Sequence, residues 1–269
     1  MKLELNGRRI LVTGASGDIG AAIARKLAAS GAHLILHYNS SAERAQRLSR
    51  ETCFAAQGAT LVQADLTDEA ACDTLFSSLA GNGGITDLVC NAGYLVEKST
   101  PLQDMPLEQW NRTLTMNLTA TFLTLRGYFR QLAQTACPDP AVVIVGSMSG
   151  VWGQPGHSDY ASAKAAMTSG LLPSLKDEIV RIAPQGRVNL VAPGFVRTRM
   201  IAGKLADTLS MKKVLQTASL RKFATPEDVA NSVSFLISPA QSGHITGEVI
   251  RLVGGKEGRV LFDLDEIEF

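Results

Sequence analysis

Short apolar runs alternate along this chain with longer amphipathic stretches, and the two spacings predict its elements. Arg9-Ile-Leu-Val-Thr13 reads as a strand, closed by the Gly-rich turn Gly14 to Gly20. Apolar residues at helical spacing then run from Ala21 to Ser30, and Gly31 stops them. His33 to Tyr38 reads as a second strand, Ala42 to Gln57 as a polar helix and Ala59 to Asp65 as a third strand. Thr67 to Leu79 predicts a helix capped by Thr67, with Asp68 and Glu69 in the first turn, where the helix dipole favours them. Ile85 to Asn91 is a fourth strand, and Leu107 to Ala136 is largely helical with one break. Ala141-Val-Val-Ile-Val145 is an unbroken, largely β-branched run suited to a central parallel strand covered on both faces. A helix capped by Ser158 continues to about Ile182, with Pro173 well inside it, where proline costs a hydrogen bond or a kink. Arg187 to Ala192 is a sixth strand, and Pro193 to Phe223 is a long segment with one or two helical pieces. Pro226 to Ile237 is a helix with proline in its first turn, and Glu248 to Val253 is the last strand. The acidic tail Asp263 to Phe269 reads equally as an ordered segment or a frayed end.

Strand and helix alternating throughout imply an α/β fold: a doubly wound parallel sheet of about seven strands, with each right-handed crossover laying a helix on one face or the other. No repeat or linker divides the chain, so residues 1–269 are expected to form one domain, with 195–223 as a substrate-loop segment within it. Composition narrows the function classes. Lys plus Arg number 26 against 25 Asp plus Glu, which leaves no basic footprint for nucleic acid or an anionic membrane. The four cysteines form no CxxC pair and no metal-ligand cadence with the four histidines, so they read as reduced thiols and no metal is expected. Met1 to Asn6 is polar, and no apolar run approaches the ~20 residues of a membrane span, so a cytoplasmic protein is expected.

In an open parallel sheet, ligands bind beyond the carboxyl ends of the strands. The loop Gly14 to Gly20 follows the first strand there and opens a helix, a context in which backbone N–H groups and a positive dipole end meet a pyrophosphate. After the second strand come Tyr38-Asn39-Ser40-Ser41, with no carboxylate before Glu43. Hydroxyls and an amide can donate to a 2′-phosphate that an acid would repel, so the chemistry leans to NADP(H), with NAD(H) the alternative. A third constellation lies at the end of the fifth strand. Ser147 is followed thirteen residues later by Tyr160, and Tyr160 and Lys164 stand one helical turn apart on one face. A phenol and an ammonium that reach one site suit proton transfer.

In this order and spacing, the motifs Thr13-Gly14 to Gly20, Ala64-Asp65-Leu66, Asn91-Ala92-Gly93, Met116-Asn117, Ser147, Tyr160 with Lys164, Pro193-Gly194 with Thr198, and Ile245-Thr246-Gly247 resemble the short-chain dehydrogenases/reductases, most closely the 3-oxoacyl-acyl-carrier-protein reductase type. The resemblance runs from Arg8 to about Gly255 and implies a Rossmann-like fold. It places Gly14, Ser16, Gly17, Asp18, Ile19 and Gly20 at the pyrophosphate, and Asp65 with Leu66 by the adenine. Asn91, Ala92 and Gly93 fall near the ribose; Pro193, Gly194, Val196 and Thr198 fall at the nicotinamide. It also implies a catalytic set in which Ser147 holds the carbonyl, Tyr160 gives the proton, Lys164 lowers the phenol's pKa and holds the ribose, and Asn117 steadies a water in the relay. One departure stands out: the second glycine of the loop falls one place early, at Gly17, leaving a carboxylate, Asp18, that is expected to point aside.

Tyr94, Val96, Met148, Trp152, Gln154, His157 and Phe195 are plausible substrate contacts, with His157 read as a surface residue. The substrate reads first as a 3-oxoacyl thioester, and otherwise as a ketone or alcohol of sugar, steroid or xenobiotic type. A non-catalytic nucleotide sensor is the third reading. An acidic acyl-carrier protein is the partner the first reading implies; it would meet Arg181, and Arg126, Arg130, Arg197 and Arg199 as substitutes for a second base that Ala136 to Pro140 lacks. The apolar helices 107–136 and 158–182 suggest a homo-oligomer, a dimer or tetramer.

Overall fold

The computed structural model describes residues 4–96, 98–201, 203 and 206–268. Met1 to Leu3 of the polar lead-in, Phe269 of the tail, and Ala202, Lys204 and Leu205 of the substrate segment lie outside the described residues. The strands are β1 (Arg9–Val12), β2 (His33–Tyr38), β3 (Ala59–Gln63), β4 (Asp87–Cys90), β5 (Ala141–Val145), β6 (Arg187–Pro193) and β7 (Val249–Leu252). All pair in parallel, in the order β3-β2-β1-β4-β5-β6-β7. The chain winds outward from β1 to β3, then returns to β4 on the other side of β1. A crevice therefore opens beyond the carboxyl ends of β1 and β4, where the winding reverses.

Alternating side chains divide the core between the two faces. Ile10, Val12 and Val143 point to one face and pack with Ile23 and Leu27 of α1 (Asp18–Ala28) and Val233 and Ile237 of the helix Pro226–Ile237. Leu11, Leu88, Ile144 and Leu190 point to the other. There they meet α3 (Glu69–Gly81), α5 (Ala120–Leu132) and α8 (Leu172–Ile182) through Phe76, Tyr128, Leu132 and Ile179. β5 and β6 are buried along their whole length, as the apolar pattern of β5 implies.

Several boundaries differ from the sequence reading. The polar helix α2 (Ala42–Ser49) ends well before Gln57, and a short 3-10 turn, Thr52–Phe54, follows it. Asp68, not Thr67, caps α3: its carboxylate accepts from the amides of Ala70 and Ala71. Ser158 lies inside the first turn of α7 (Ser158–Ala165), and His157 holds the cap position. A short helix, α6 (Ser149–Trp152), fills part of the stretch between Ser147 and α7.

The break between 107 and 136 is a π-helical turn, Thr115–Thr119, between α4 (Leu107–Leu114) and α5. A second π turn, Ala166–Leu171, precedes α8. It accounts for Pro173, which lies in the first turn of α8, where the shift out of i,i+4 register removes the need for a proline N–H. The tail is ordered as far as it is described: Asp263 and Glu266 form a capping box, and Ile267 is buried against Met211, Leu215 and Phe223.

The α3–α5 contact predicts a stability effect. A Cβ on Gly127 would lie 2.2 Å from the ring of Phe76, itself buried under the sheet. Gly127→Ala is therefore expected to cost about 1–3 kcal/mol despite the better helix propensity of alanine. Thermal denaturation checks this: the midpoint should fall by several degrees while activity per folded molecule stays intact.

Candidate active site

A cavity of about 920 Å³ runs along the crevice, over the carboxyl ends of the strands. Its floor at one end is the loop between β1 and α1, where Gly14, Ser16, Gly17, Asp18, Ile19 and Gly20 all line the wall. No side chain caps α1 at Gly17. Gly20 is needed for close packing, because a Cβ there would lie 2.3 Å from the Gly14 carbonyl and 2.7 Å from Asn91 Nδ2. Asn91 in turn donates from Nδ2 to the carbonyls of Thr13 (3.0 Å) and Gly14 (3.2 Å), and the amides of Asn91 and Ala92 donate to Thr13 Oγ1. The end of β4 thus braces the turn that a pyrophosphate would meet, with Asn91, Ala92 and Gly93 on the wall.

At the end of β2, Asn39, Ser40 and Ser41 line the cavity as expected, but Tyr38 does not. Strand alternation turns Tyr38 away and brings His37 to the wall. His37 Nδ1 accepts from the Gly14 amide at 3.1 Å, and Nε2 lies 3.1 Å from the Ala64 carbonyl. Burial holds its pKa below the usual histidine value against the opposing pull of the Ala64 carbonyl and Asp65, so it serves as a neutral brace. Asp65 and Leu66 are on the wall too. Asp65 accepts from the amide and hydroxyl of Thr67, and these bonds hold its carboxyl below the usual range despite some burial.

Two arginines that sequence reasoning did not place here complete this end. Arg44, in the first turn of α2, lines the cavity beside Ser40 and Ser41. Asp18 does not simply point aside. It accepts from the Arg199 amide (2.7 Å), from Nε (2.7 Å) and from Nη2 of Arg199, and it lies 3.5 Å from Arg44. Partial burial opposes its ionisation, but the Arg199 bonds and the Arg199 and Arg44 charges outweigh that and hold the carboxyl below its ordinary value. A carboxylate at the pyrophosphate loop is thereby neutralised by the segment after β6. Pro193, Gly194, Val196 and Thr198 of that segment line the cavity as well.

Ser147, Tyr160 and Lys164 share the wall at the other end. Ser147 follows β5, and its Oγ accepts from the Ser149 amide at 3.1 Å. Ser149 Oγ is 2.6 Å from Gln154 Oε1, so a short polar chain fixes this corner. α7 carries Tyr160 and Lys164, with Lys164 Nζ 5.6 Å from the Tyr160 ring centroid. Buried Asp159 anchors that helix to α4, accepting from Thr113 Oγ1 (2.8 Å) and Gln109 Nε2 (3.1 Å). Removal from water pushes the Tyr160 phenol up, the Ser147 hydroxyl only partly countering it. Lys164 donates to the Val145 carbonyl at 3.2 Å, and burial lowers its pKa to about 8. The phenol thus stands above its ordinary value, and the expected depression by Lys164 is not among the effects acting on it.

Asn117 lies in the first π turn, fully buried and off the cavity wall. Its Oδ1 accepts from the Tyr94 amide, and its Nδ2 donates to the carbonyls of Tyr94 and Thr113. These bonds tie its amide to the Tyr94 loop and to α4. Tyr94, Met148, Trp152, Gln154 and Phe195 line the substrate end. Val96 does not, its neighbour Leu95 taking the place, and His157, at the cap of α7, is buried rather than on the surface. Val214, Leu215, Ala218 and Phe223 of the 195–223 segment close this end. Among the described residues no cluster of His, Cys, Asp or Glu could hold a metal ion, and no helix is long and apolar enough to cross a membrane.

The sheet, the glycine turn at its switch point and the facing Ser, Tyr and Lys define a dinucleotide-dependent oxidoreductase. The comparisons agree. The family model described as enoyl-(acyl carrier protein) reductase matches residues 14–257. The chain is 33% identical over 257 residues to the 3-oxoacyl-(acyl-carrier-protein) reductase FabG of Rickettsia conorii, covering 94% of this chain and 98% of that one. It is 35% identical over 250 residues to the cis-4-hydroxycyclohexanecarboxylate dehydrogenase of Sinomonas cyclohexanicum, covering 92% and 96%. A solved 3-oxoacyl (acyl-carrier-protein) reductase from Agrobacterium tumefaciens C58 with NADP bound superposes with a TM-score of 0.83 at 28% identity, covering 94% and 96%. The chain belongs to the short-chain dehydrogenases/reductases, NAD(P)-dependent oxidoreductases that act on CH–OH groups.

Proposed function

We propose that this protein uses NADPH to reduce a ketone to a secondary alcohol, and that its substrate is a 3-oxoacyl thioester. The observation that carries the reading is the placing of Ser147, Tyr160 and Lys164 on one wall of a crevice whose far end is a glycine cradle. The nicotinamide cofactor supplies the hydride when bound. Gly14 to Gly20 would hold its pyrophosphate, Asn91 to Gly93 its ribose, and Pro193 to Thr198 its nicotinamide. Ser147 Oγ orients the carbonyl oxygen, and the Tyr160 phenol gives that oxygen a proton as negative charge develops on it. Lys164, one turn away, offsets the charge left on the phenolate.

Arg44 beside Ser40 and Ser41 supports NADP(H), since a guanidinium suits a phosphate where a carboxylate would repel it. The apolar wall of Met148, Phe195, Leu215 and Phe223 suits an acyl chain, as do relatives named as 3-oxoacyl reductases. A carrier protein has fewer bases to meet than the sequence suggests. Arg126 pairs with Glu69 and Asp73, Arg130 with Asp73, and Arg199 with Asp18, which leaves exposed Arg181 and Arg197. That pairing favours the second reading, a general alcohol/ketone dehydrogenase acting on a sugar, steroid or xenobiotic.

One assay decides between them: oxidation of NADPH and NADH with acetoacetyl thioesters and with simple ketones. Turnover of simple ketones alone would sink the thioester reading. In the same assay, Arg44→Ala should lower the NADPH-over-NADH preference by about tenfold or more, the value of a charge-assisted hydrogen bond. We also infer a homo-oligomer, because Leu107, Phe122, Val180 and Ile182 stand exposed on α4, α5 and α8. A light-scattering mass near 28.6 kDa would count against it.

A further inference from the structure

The charges around the cavity are unevenly shared, and the unevenness bears on the substrate. Its acids, Asp18 and Asp65, belong to the cofactor end, where Arg199 and Thr67 bind them. The substrate end is apolar apart from the Ser147 corner, and its charged residues besides Lys164 are both lysines, Lys222 and Lys256. Lys222 is exposed at the mouth. Lys256 is half-buried, with Nζ 6.0 Å from the ring centroid of Trp152. No carboxylate of the described residues forms an ion pair with either, and burial alone acts on the Lys256 ammonium, lowering its pKa.

Its position is built by the backbone rather than left to a loose loop. The turn after β7 places Gly254 and Gly255 at φ +60° and +79°. Leu220 N donates to Gly254 O at 2.9 Å, and Glu257 N to Thr217 O at 3.4 Å. These bonds tie Lys256 to the segment that closes the substrate end. The nearest acid in sequence, Glu257, is engaged by Arg259. A cation held partly out of water at the end of an apolar cavity, with no anion of its own among the described residues, is a binding group for an anion that arrives with the ligand.

We propose that the ketone taken here carries an oxyanion on its own chain, a carboxylate or a phosphate, and that Lys256 receives it over the face of Trp152, with Lys222 guiding entry. The proposal rests on the reading of this cavity as a ketone-reducing site but is tested without turnover. In a Trp110→Phe background, Trp152 is the remaining tryptophan and its emission reports the site. With the protein saturated in NADP⁺, hexanoate should quench it saturably and bind about tenfold or more tighter than hexanamide. Lys256→Gln should bring the two within about twofold, and Lys256→Arg should keep the difference. Equal binding of hexanoate and hexanamide, a difference that survives Lys256→Gln, or no saturable response to either overturns the proposal.

Kinetics then separate the two sources of the anion. Loss of kcat/KM in Lys256→Gln for 5-oxohexanoate but not 2-hexanone assigns a carboxylate. Loss for acetoacetyl-phosphopantetheine but not acetoacetyl-pantetheine assigns a pantetheine phosphate. Should no thioester be reduced while hexanoate still binds through Lys256, the thioester reading fails and this one stands.

Discussion

Tyr160→Phe should lower kcat for ketone reduction by about 10² to 10⁴-fold while leaving cofactor affinity within about twofold. The substitution removes one oxygen and keeps the ring, so the packing between α7 and the cavity wall survives, including the 5.6 Å approach of Lys164 Nζ to the ring. What disappears is the proton donor. Burial raises the phenol's pKa, so it stays protonated through neutral pH, the state an acid in the reducing direction needs. Ser147 remains to hold the carbonyl, which is why some turnover should persist. Steady-state kinetics with NADPH, paired with a fluorescence titration of the cofactor, separates the two effects. Unchanged activity would show that the Ser, Tyr and Lys set is idle and would revive the nucleotide-sensor reading.

How far the sequence foretold this site depends on which physical signal each residue carries. β5 and β2 were legible to the residue, β5 because a strand covered on both faces is apolar throughout, and β2 because the apolar run Leu34 to Leu36 is bounded by turn residues at Gly31 and Asn39 to Ser41. The end of α2 was not, because polar residues continue past Ser49 and nothing in their pattern marks a stop. The π turns were hidden for a related reason: a single i,i+5 step shifts the apolar stripe too little to stand out from a 3.6-residue period. Pro173 was the visible trace of one of them.

Of the residues that line the cavity, those on a local motif are legible in the sequence and those brought in by tertiary contact are not. The exchange of Tyr38 for His37 was not legible, because β2 is buried on both faces, with Leu34 and Leu36 on one and Ile35 on the other, and alternation alone does not say which face meets the cavity. Arg44 could have been found by carrying the search one helical turn past Ser41. No local rule joins Asp18 to Arg199, which meet across 181 positions of sequence. Lys256 likewise gains its meaning only when the turn after β7 folds against the segment that closes the cavity.

Lys164 gives the second large effect, and its sign identifies it. Burial lowers its pKa to about 8 against an ordinary 10.5, while Tyr160 titrates above its own ordinary value. As pH rises through about 8, the free enzyme loses the ammonium before the phenol. kcat/KM for reduction should therefore be flat near neutrality and fall above about pH 8. Stability should move the other way. Between about 8 and 10.5 the unfolded chain holds a proton on this lysine that the native protein has shed, so this group's contribution to unfolding free energy rises with pH. The cost of burying the charge is complete below pH 8 and is relieved above it. Lys164→Met should accordingly lose about 10²-fold or more in kcat/KM, show no limb near pH 8, and be at least as stable as the parent at neutral pH, since an apolar chain replaces a desolvated cation. Denaturant unfolding and pH–rate profiles of both proteins test this together. An alkaline loss of activity that tracks loss of the folded signal, or one retained in Lys164→Met, would assign the limb to some other group.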